Sequence, residues 1–217
     1  MAKTSLSDSV YQEALSRIVR CQYPPGSLVS EEQLVHELNA SRTPIRSALI
    51  RLQQENLVRI IPKKGILVSQ ITPNYIRDLY NLRELIELYA IESFGQNFPK
   101  DRLMQYLTDF APDNTGHNMD QIIDADVRFH IEIVSHTDNS LLCGYYRSMQ
   151  DHLTRLTYFC GICMKDRVPE SNNEHRDIIL ALLKDDLEAA RALLKAHLKS
   201  AREVAYLSML GSSPTAQ

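Results

Sequence analysis

The sequence predicts a mainly α protein in two parts, an N-terminal winged helix-turn-helix followed by a C-terminal all-α bundle of six helices. Three observations carry this. Residues 41–55 read as one amphipathic helix, separated from a shorter upstream helix only by Ala40 to Arg42. Two short β-prone runs then flank Pro62-Lys63-Lys64-Gly65. From residue 71 onward the only periodicity is helical.

Taken in order, Leu6, Val10, Ala14 and Ile18 recur at helical spacing and predict a first helix from about Ser5 to Arg20. Tyr23-Pro24-Pro25-Gly26 ends it, because a residue before proline is pushed towards extended geometry and glycine supplies a turn. Ser30 is a good N-cap for a short helix over Glu31 to Asn39, with Leu34, Val35 and Leu38 apolar. In the next helix Ile45, Ala48, Leu49 and Leu52 form one buried stripe. Ser41 and Thr43 are its candidate N-caps, and Pro44 suits a first turn, where a missing N–H costs nothing. A connection this short is that of a helix-turn-helix. Leu57 to Ile61 and Gly65 to Val68 predict a hairpin with two cations at its tip, the wing.

The chemistry of that first part is legible. Ser41, Arg42, Thr43 and Arg46 gather at the N-terminus of the amphipathic helix, where Arg can read guanine edges and free N–H groups can hold phosphate. Lys63 and Lys64 would carry the wing to a DNA backbone, with Gly65 allowing close approach of the main chain. Residues 1–70 hold nine Lys/Arg against six Asp/Glu, and residues 71–217 hold fifteen against twenty-one. A basic segment joined to an acidic one fits a DNA-binding domain, 1–70, attached to a domain with another task, 71–217. Ile71-Thr72-Pro73-Asn74 is the expected boundary.

The bundle is predicted over helices at about 73–95, 100–110, 119–137, 140–161, 171–184 and 186–209. Its breaks are placed at Gly95 to Pro99, Pro112 to Gly116, Asp138-Asn139, Gly161 to Pro169 and Lys184 to Asp186, with a disordered tail from Gly211. Asp126 and His130 stand at i, i+4 on one helix face, while His175 and His197 lie on later helices. Three His and one Asp from three helices are able to converge on a divalent metal in a bundle core, and the absence of Cys from the set suits zinc, nickel or manganese. A lone helical His is more commonly a surface or hydrogen-bonded residue. Arg83 sits beside the apolar face of the first bundle helix, where it either pairs with Glu87 at i+4 or clamps an anion. Cys160-Gly161-Ile162-Cys163 follows a long helix with no strand before it, unlike a redox CxxC, and is given no role.

The chain resembles the GntR family of bacterial transcription regulators, in the FadR-type subfamily whose C-terminal domain is called FCD. In the first half the resemblance rests on Pro25-Gly26-Ser27-Leu28, on Ser30 to Leu34, on Ser41 to Leu49, on Leu52 to Val58 and on Gly65. In the second it rests on Leu82-Arg83-Glu84-Leu85-Ile86-Glu87, on Asp126 to His130, on Asn139, on Glu174-His175-Arg176 and on His197-Leu198. Metal-bearing FCD domains use an Asp and a His four apart plus two later His, which match Asp126, His130, His175 and His197. The family's effector-binding Arg matches Arg83. The resemblance implies a homodimer on a palindromic operator and a small organic-acid or sugar-acid effector. Glu32 stands where the acyl-CoA-responsive member has Arg, so that effector class is not implied. Six bundle helices rather than seven point to the shorter, VanR-like branch.

The expected function is therefore a DNA-binding regulator controlled by a small carboxylate at a metal-containing pocket, and not an enzyme. Two alternatives are a regulator in which the metal itself is the signal and a metal-dependent hydrolase, which would leave residues 41–65 without a purpose. The N-terminus lacks the apolar core of a signal peptide and no run is long enough to span a bilayer, so a cytoplasmic protein without membrane contact is expected.

Overall fold

The computed structural model describes residues 5–111, 118–163 and 167–211. The chain divides into two compact units, Met1–Thr72 and Pro73–Gln217.

The first unit holds α1 (Leu6–Val19), β1 (Leu28–Val29), α2 (Glu31–Glu37), α3 (Arg42–Gln54), β2 (Val58–Ile61) and β3 (Gly65–Val68). The Ser5 and Ser30 hydroxyls cap α1 and α2 by accepting from the Asp8 and Gln33 amides. Ser41 is the N-cap residue of α3 but makes no side-chain cap bond, and Thr43 lies inside the helix. The apolar stripe of α3 is fully buried, and α3 packs on α1, whose Val10, Ala14 and Ile18 are buried as well. The three strands form one antiparallel sheet in the order β1-β3-β2, in which Leu28 faces Leu67 and Ile60 faces Ile66. The two-residue β1 is too short to show a periodicity, and no strand is expected there from the sequence. Lys63 turns the hairpin with a φ of 64°, and Gly65 follows with 121°. A Cβ on Gly65 would lie 2.8 Å from the Val29 carbonyl oxygen, so the close approach this glycine permits is to β1 of its own chain.

The second unit holds α4 (Pro73–Phe94), a 3₁₀ turn (Gly95–Asn97), α5 (Lys100–Asp109), α6 (Met119–Ser135), α7 (Ser140–Ser148), α8 (Gln150–Cys163), α9 (Val168–Leu183) and α10 (Leu187–Gly211). Among the described residues these are seven α-helices, not six. The helix expected at 140–161 is broken at Met149. There the Ser148 hydroxyl takes the Tyr145 carbonyl at 2.6 Å, and the Met149 amide turns to Tyr146 at 3.0 Å in a three-residue turn. No Gly or Pro marks the spot, and the helix count no longer argues for the VanR-like branch. The break expected at Pro112 to Gly116, part of that at Gly161 to Pro169, and the tail beyond residue 211 lie outside the described residues. α6 opens with a full capping box between Asn118 and Gln121. α10 packs on α4, α8 and α9, and α6 packs on α4 and α8, so α4, α6, α9 and α10 share one interior. Gly95 lets α10 close down, since a Cβ there would meet Leu187 Cδ2 at 2.6 Å. Among the described residues no helix is long and apolar enough to cross a membrane.

Candidate metal centre and nucleic-acid interface

The i, i+4 spacing on α6 places Asp126 and His130 on the face that meets α9 and α10, and those helices bring His175 and His197. One ligand atom from each of the four residues lies within 4.8 Å of all the others. His175 Nε2 is 3.3 Å from both His130 Nε2 and Asp126 Oδ1, and His130 Nε2 is 3.9 Å from Asp126 Oδ1. Two nitrogens bound to one tetrahedral ion at about 2.0–2.1 Å stand roughly 3.3 Å apart. The three imidazoles are buried and Asp126 is partly exposed.

The neighbours decide which nitrogen each ring offers. Glu87 Oε2 accepts from His130 Nδ1 at 2.7 Å, and Glu174 Oε2 accepts from His197 Nδ1 at 2.8 Å. A carboxylate can only accept, so both rings carry their proton on Nδ1 and turn the Nε2 lone pair inward. His175 differs. Its ring stacks on Phe110 at 4.3 Å between centroids, and its Nδ1 is buried with no hydrogen-bond partner. Without a metal, His175 Nε2 can hold a proton for Asp126 Oδ1 and His130 Nε2, each 3.3 Å away; once that proton leaves, three nitrogen lone pairs and a carboxylate face one point. This donor set therefore fits a divalent metal.

The electrostatics keep the donors in ligating form. Burial pushes the His175 imidazole below its usual range, with Asp126 reversing part of this. His197 is held well below that range by burial and then by His175 and His130. Burial drives the Asp126 carboxyl upward, but its bond with His175 and the charge on His130 outweigh that and leave it below the usual carboxylate range. Burial also raises Glu87, yet Arg83, with His130 adding, holds it at about 2.

Arg83 takes up the first of the two roles expected for it, the pairing with Glu87. Its Nε donates to Glu87 Oε1 at 2.8 Å, and the same oxygen accepts from the Tyr146 hydroxyl at 2.5 Å. Arg83 also lines a cavity of about 110 Å³ whose wall includes Tyr80, Asp126, Arg167, His175 and His197. Met119, Ile122, Val168 and Val204 supply its apolar side, and Cys160 reaches it as well. Arg167 is not expected at the site from the sequence, because it falls in a stretch that reads as a break. It donates from Nη2 to Glu174 Oε1 at 2.7 Å, and its Nη1 is buried without a hydrogen-bond partner. Glu87, Glu174 and Tyr146 are likewise not singled out as site residues by the sequence. Only the i, i+4 spacing of Arg83 and Glu87, and Glu174 standing next to His175, are visible as signals.

In the first unit the surface of α3 and the wing is exposed. Ser41, Arg42, Thr43, Arg46, Lys63 and Lys64 are at least partly solvent-facing, and Gly65 is half-buried. Arg46 Nε lies 3.0 Å from Glu31 and Arg42 lies 3.9 Å from Glu32, both carboxylates of α2. A groove of about 500 Å³ runs between α3 and the wing, with Arg46, Ile50, Ile60, Lys63 and Lys64 on its walls.

Fold and site together define a two-part chain of the regulator type, with a winged helix-turn-helix followed by an all-α unit that holds a candidate metal centre. Residues 6–68 match the bacterial regulatory proteins of the gntR family and residues 78–200 match the FCD domain, so the chain belongs to the FCD-bearing GntR regulators. It is 24% identical over 204 residues to the transcriptional repressor RspR of Escherichia coli strain K12, covering 91% of this chain and 88% of that protein. A GntR transcriptional regulator of Rhodococcus sp. RHA1 superposes with a TM-score of 0.78 at 22% identity, over 95% of this chain and 98% of its own. The Zn2+-bound FCD domain of TM0439 superposes with a TM-score of 0.56 at 20% identity, over 65% of this chain and 98% of that domain. The protein is a DNA-binding transcription regulator of this type.

Proposed function

We propose that a small carboxylate, bound beside a divalent metal in the FCD domain, sets the affinity of this regulator for its operator. The observation that carries this is a four-donor cluster opening onto a cavity that also exposes two arginines. Asp126, His130, His175 and His197 would hold the metal. When bound, the metal supplies Lewis-acid positions that a carboxylate can occupy. Arg83 and Arg167 bind and orient the rest of the anion, and the apolar side of the cavity excludes water around its carbon skeleton. That the FCD domain of TM0439 has been solved with Zn2+ supports the reading; zinc, nickel and manganese all suit the donor set.

Ser41, Arg42, Thr43 and Arg46 would read the operator, and Lys63 and Lys64, with Gly65 beside them in the wing, would hold its backbone. One recognition helix reads a half-site, so we take the protein to be a homodimer on a palindrome, with residues 71–217 carrying much of the interface. Leu85 with Tyr89 on α4, and Leu141 with Tyr145 on α7, leave apolar pairs exposed for such a contact. The cavity is walled by α4, and α4 begins at Pro73, directly after the DNA-binding unit. A shift of α4 on ligand binding therefore moves the point at which that unit is attached.

The test is operator titration of metal-free protein, zinc-loaded protein, and zinc-loaded protein with a panel of small organic acids, beside sedimentation at micromolar concentration. The reading expects dimers whose operator affinity changes when zinc and an acid are both present. A full response to zinc alone would instead make the metal the signal. Wild-type protein that takes up no stoichiometric zinc, nickel or manganese would sink the pocket.

A further inference from the structure

Two arms of the metal site repeat one pattern. In the first, Arg83 donates from Nε to Glu87 Oε1 at 2.8 Å, and Glu87 Oε2 accepts from His130 Nδ1 at 2.7 Å. In the second, Arg167 donates from Nη2 to Glu174 Oε1 at 2.7 Å, and Glu174 Oε2 accepts from His197 Nδ1 at 2.8 Å. The carboxylates come from different helices, α4 and α9, yet each spends one oxygen on a histidine of the donor cluster and the other on an arginine of the cavity wall. His175 has no such arm, since its ring rests on Phe110 and its Nδ1 is unpartnered.

We propose that Glu87 and Glu174 are positioning residues, each tying one ligand histidine to one cavity arginine, so that metal and anion raise each other's affinity. The inference rests on the metal-containing pocket proposed above. A carboxylate on Nδ1 locks the ring's orientation and leaves Nε2 as the ligand atom. An anion in the cavity draws on the donors of Arg83 and Arg167 and weakens their hold on the two carboxylates. Each carboxylate is then a stronger acceptor for its imidazole, which becomes a better donor to the metal. By linkage the factor is the same whichever ligand binds first. Arg167 is the freer of the two arms, because its buried Nη1 has donor capacity left for an occupant.

The second arm is the one to test, because Glu174 is 30% exposed whereas Glu87 is fully buried. Full-length protein and the variants Glu174→Gln and Arg167→Gln are stripped of metal. Zinc affinity is then measured against a competing chelator, with and without acetate as the probe anion, and the visible spectrum of the cobalt(II) form is recorded. Glu174→Gln is expected to lose about 10–100-fold in zinc affinity. Its cobalt bands should shift, while melting of the metal-free protein stays close to wild type. Arg167→Gln should shift the bands the same way with a smaller loss. In both variants acetate should strengthen zinc binding less than it does in wild type. Wild-type affinity, spectra and acetate response in both variants would overturn the arms while leaving the pocket standing. A wild-type protein that binds neither zinc nor cobalt would overturn the pocket itself and the arms with it. If Glu174→Gln unfolds without metal, Glu174→Asp carries the same test, since its shorter side chain cannot reach both partners; wild-type behaviour in it overturns the proposal.

Discussion

His130 donates from Nδ1 to Glu87 Oε2 at 2.7 Å, although the two residues are 43 positions apart and on different helices. With Arg83 and Tyr146 on its other oxygen, the Glu87 carboxylate is shared among three buried groups. Glu87→Gln keeps the shape but leaves the Arg83 guanidinium buried without a counter-charge. Removing one partner of such a pair costs about 3–5 kcal/mol. Urea denaturation of the metal-free protein should show a loss of that size, and a loss below about 1 kcal/mol would mean that Arg83 finds another anion.

Acid should destabilise the metal-free protein in two stages. His175 and His197 titrate below the unfolded imidazole value of about 6.5, so around that pH the unfolded chain binds more protons than the folded one. Their contribution is complete above about 6.5 and is lost as pH falls. Glu87, held at about 2, and Asp126, also depressed, act in the same direction lower down. Their contribution is present above the usual carboxylate range of about 4 and is lost as pH falls towards 2. Bound zinc should steepen the upper stage, because protons compete for the same nitrogens. Urea midpoints measured from pH 8 to pH 4 check this; a midpoint that rises as pH falls from 7 to 5 would contradict it.

Why these donors are legible in the sequence, and their supports are not, follows from where each signal lies. Helical spacing puts Asp126 and His130 on one face, and the resemblance to metal-bearing FCD domains is what singles them out as donors; α3 shows itself through its apolar stripe. His175 and His197 need only sit on helices that a bundle must pack together. The bond from Glu87 to His130 depends on the register between α4 and α6, which no local pattern encodes. Arg167 caps α9 one turn earlier than the helix expected at 171, in a stretch where Gly161 and Pro169 suggest a break. The break at Met149 rests on one serine hydroxyl competing for a carbonyl, a signal indistinguishable from that of any helical serine.

On the DNA side, Arg46→Ala should cost about 1–3 kcal/mol in operator affinity if it reads a guanine. Its partner acts in the opposite sense. Glu31 holds Arg46 at 3.0 Å, and an operator has to displace that carboxylate. Glu31→Gln should therefore strengthen binding, to non-specific duplex as well as to operator. Replacing Lys63 and Lys64 by Ala should weaken both and flatten the salt dependence, by about 0.9 in log–log slope for each phosphate that is no longer neutralised. Binding assays across a salt series separate these effects, and an unchanged slope would remove the wing from the backbone.

The cavity should select among small acids by what stands at the far end of the carbon skeleton. Arg83 is committed to Glu87, whereas Arg167 keeps a buried, unpartnered Nη1 on the same wall. Between them the surface is apolar, with Ile122, Val168 and Val204. An occupant that satisfies this wall carries a carboxylate, a short carbon skeleton and a second oxygen acceptor such as a hydroxyl, a carbonyl or another carboxylate. Such acids should bind more tightly than alkyl monocarboxylates of equal length. A hydrogen bond to a charged donor is worth about 1.5–3 kcal/mol, or roughly 10–100-fold. Arg167→Ala should cost that much for the bifunctional acid and less for the plain one. Arg83→Ala should weaken both, and should also lower stability by leaving Glu87 buried and unpaired. Calorimetry on zinc-loaded protein with matched pairs of acids distinguishes the two roles. If Arg167→Ala lowers affinity for both members of a pair equally, Arg167 does not read the far end of the ligand.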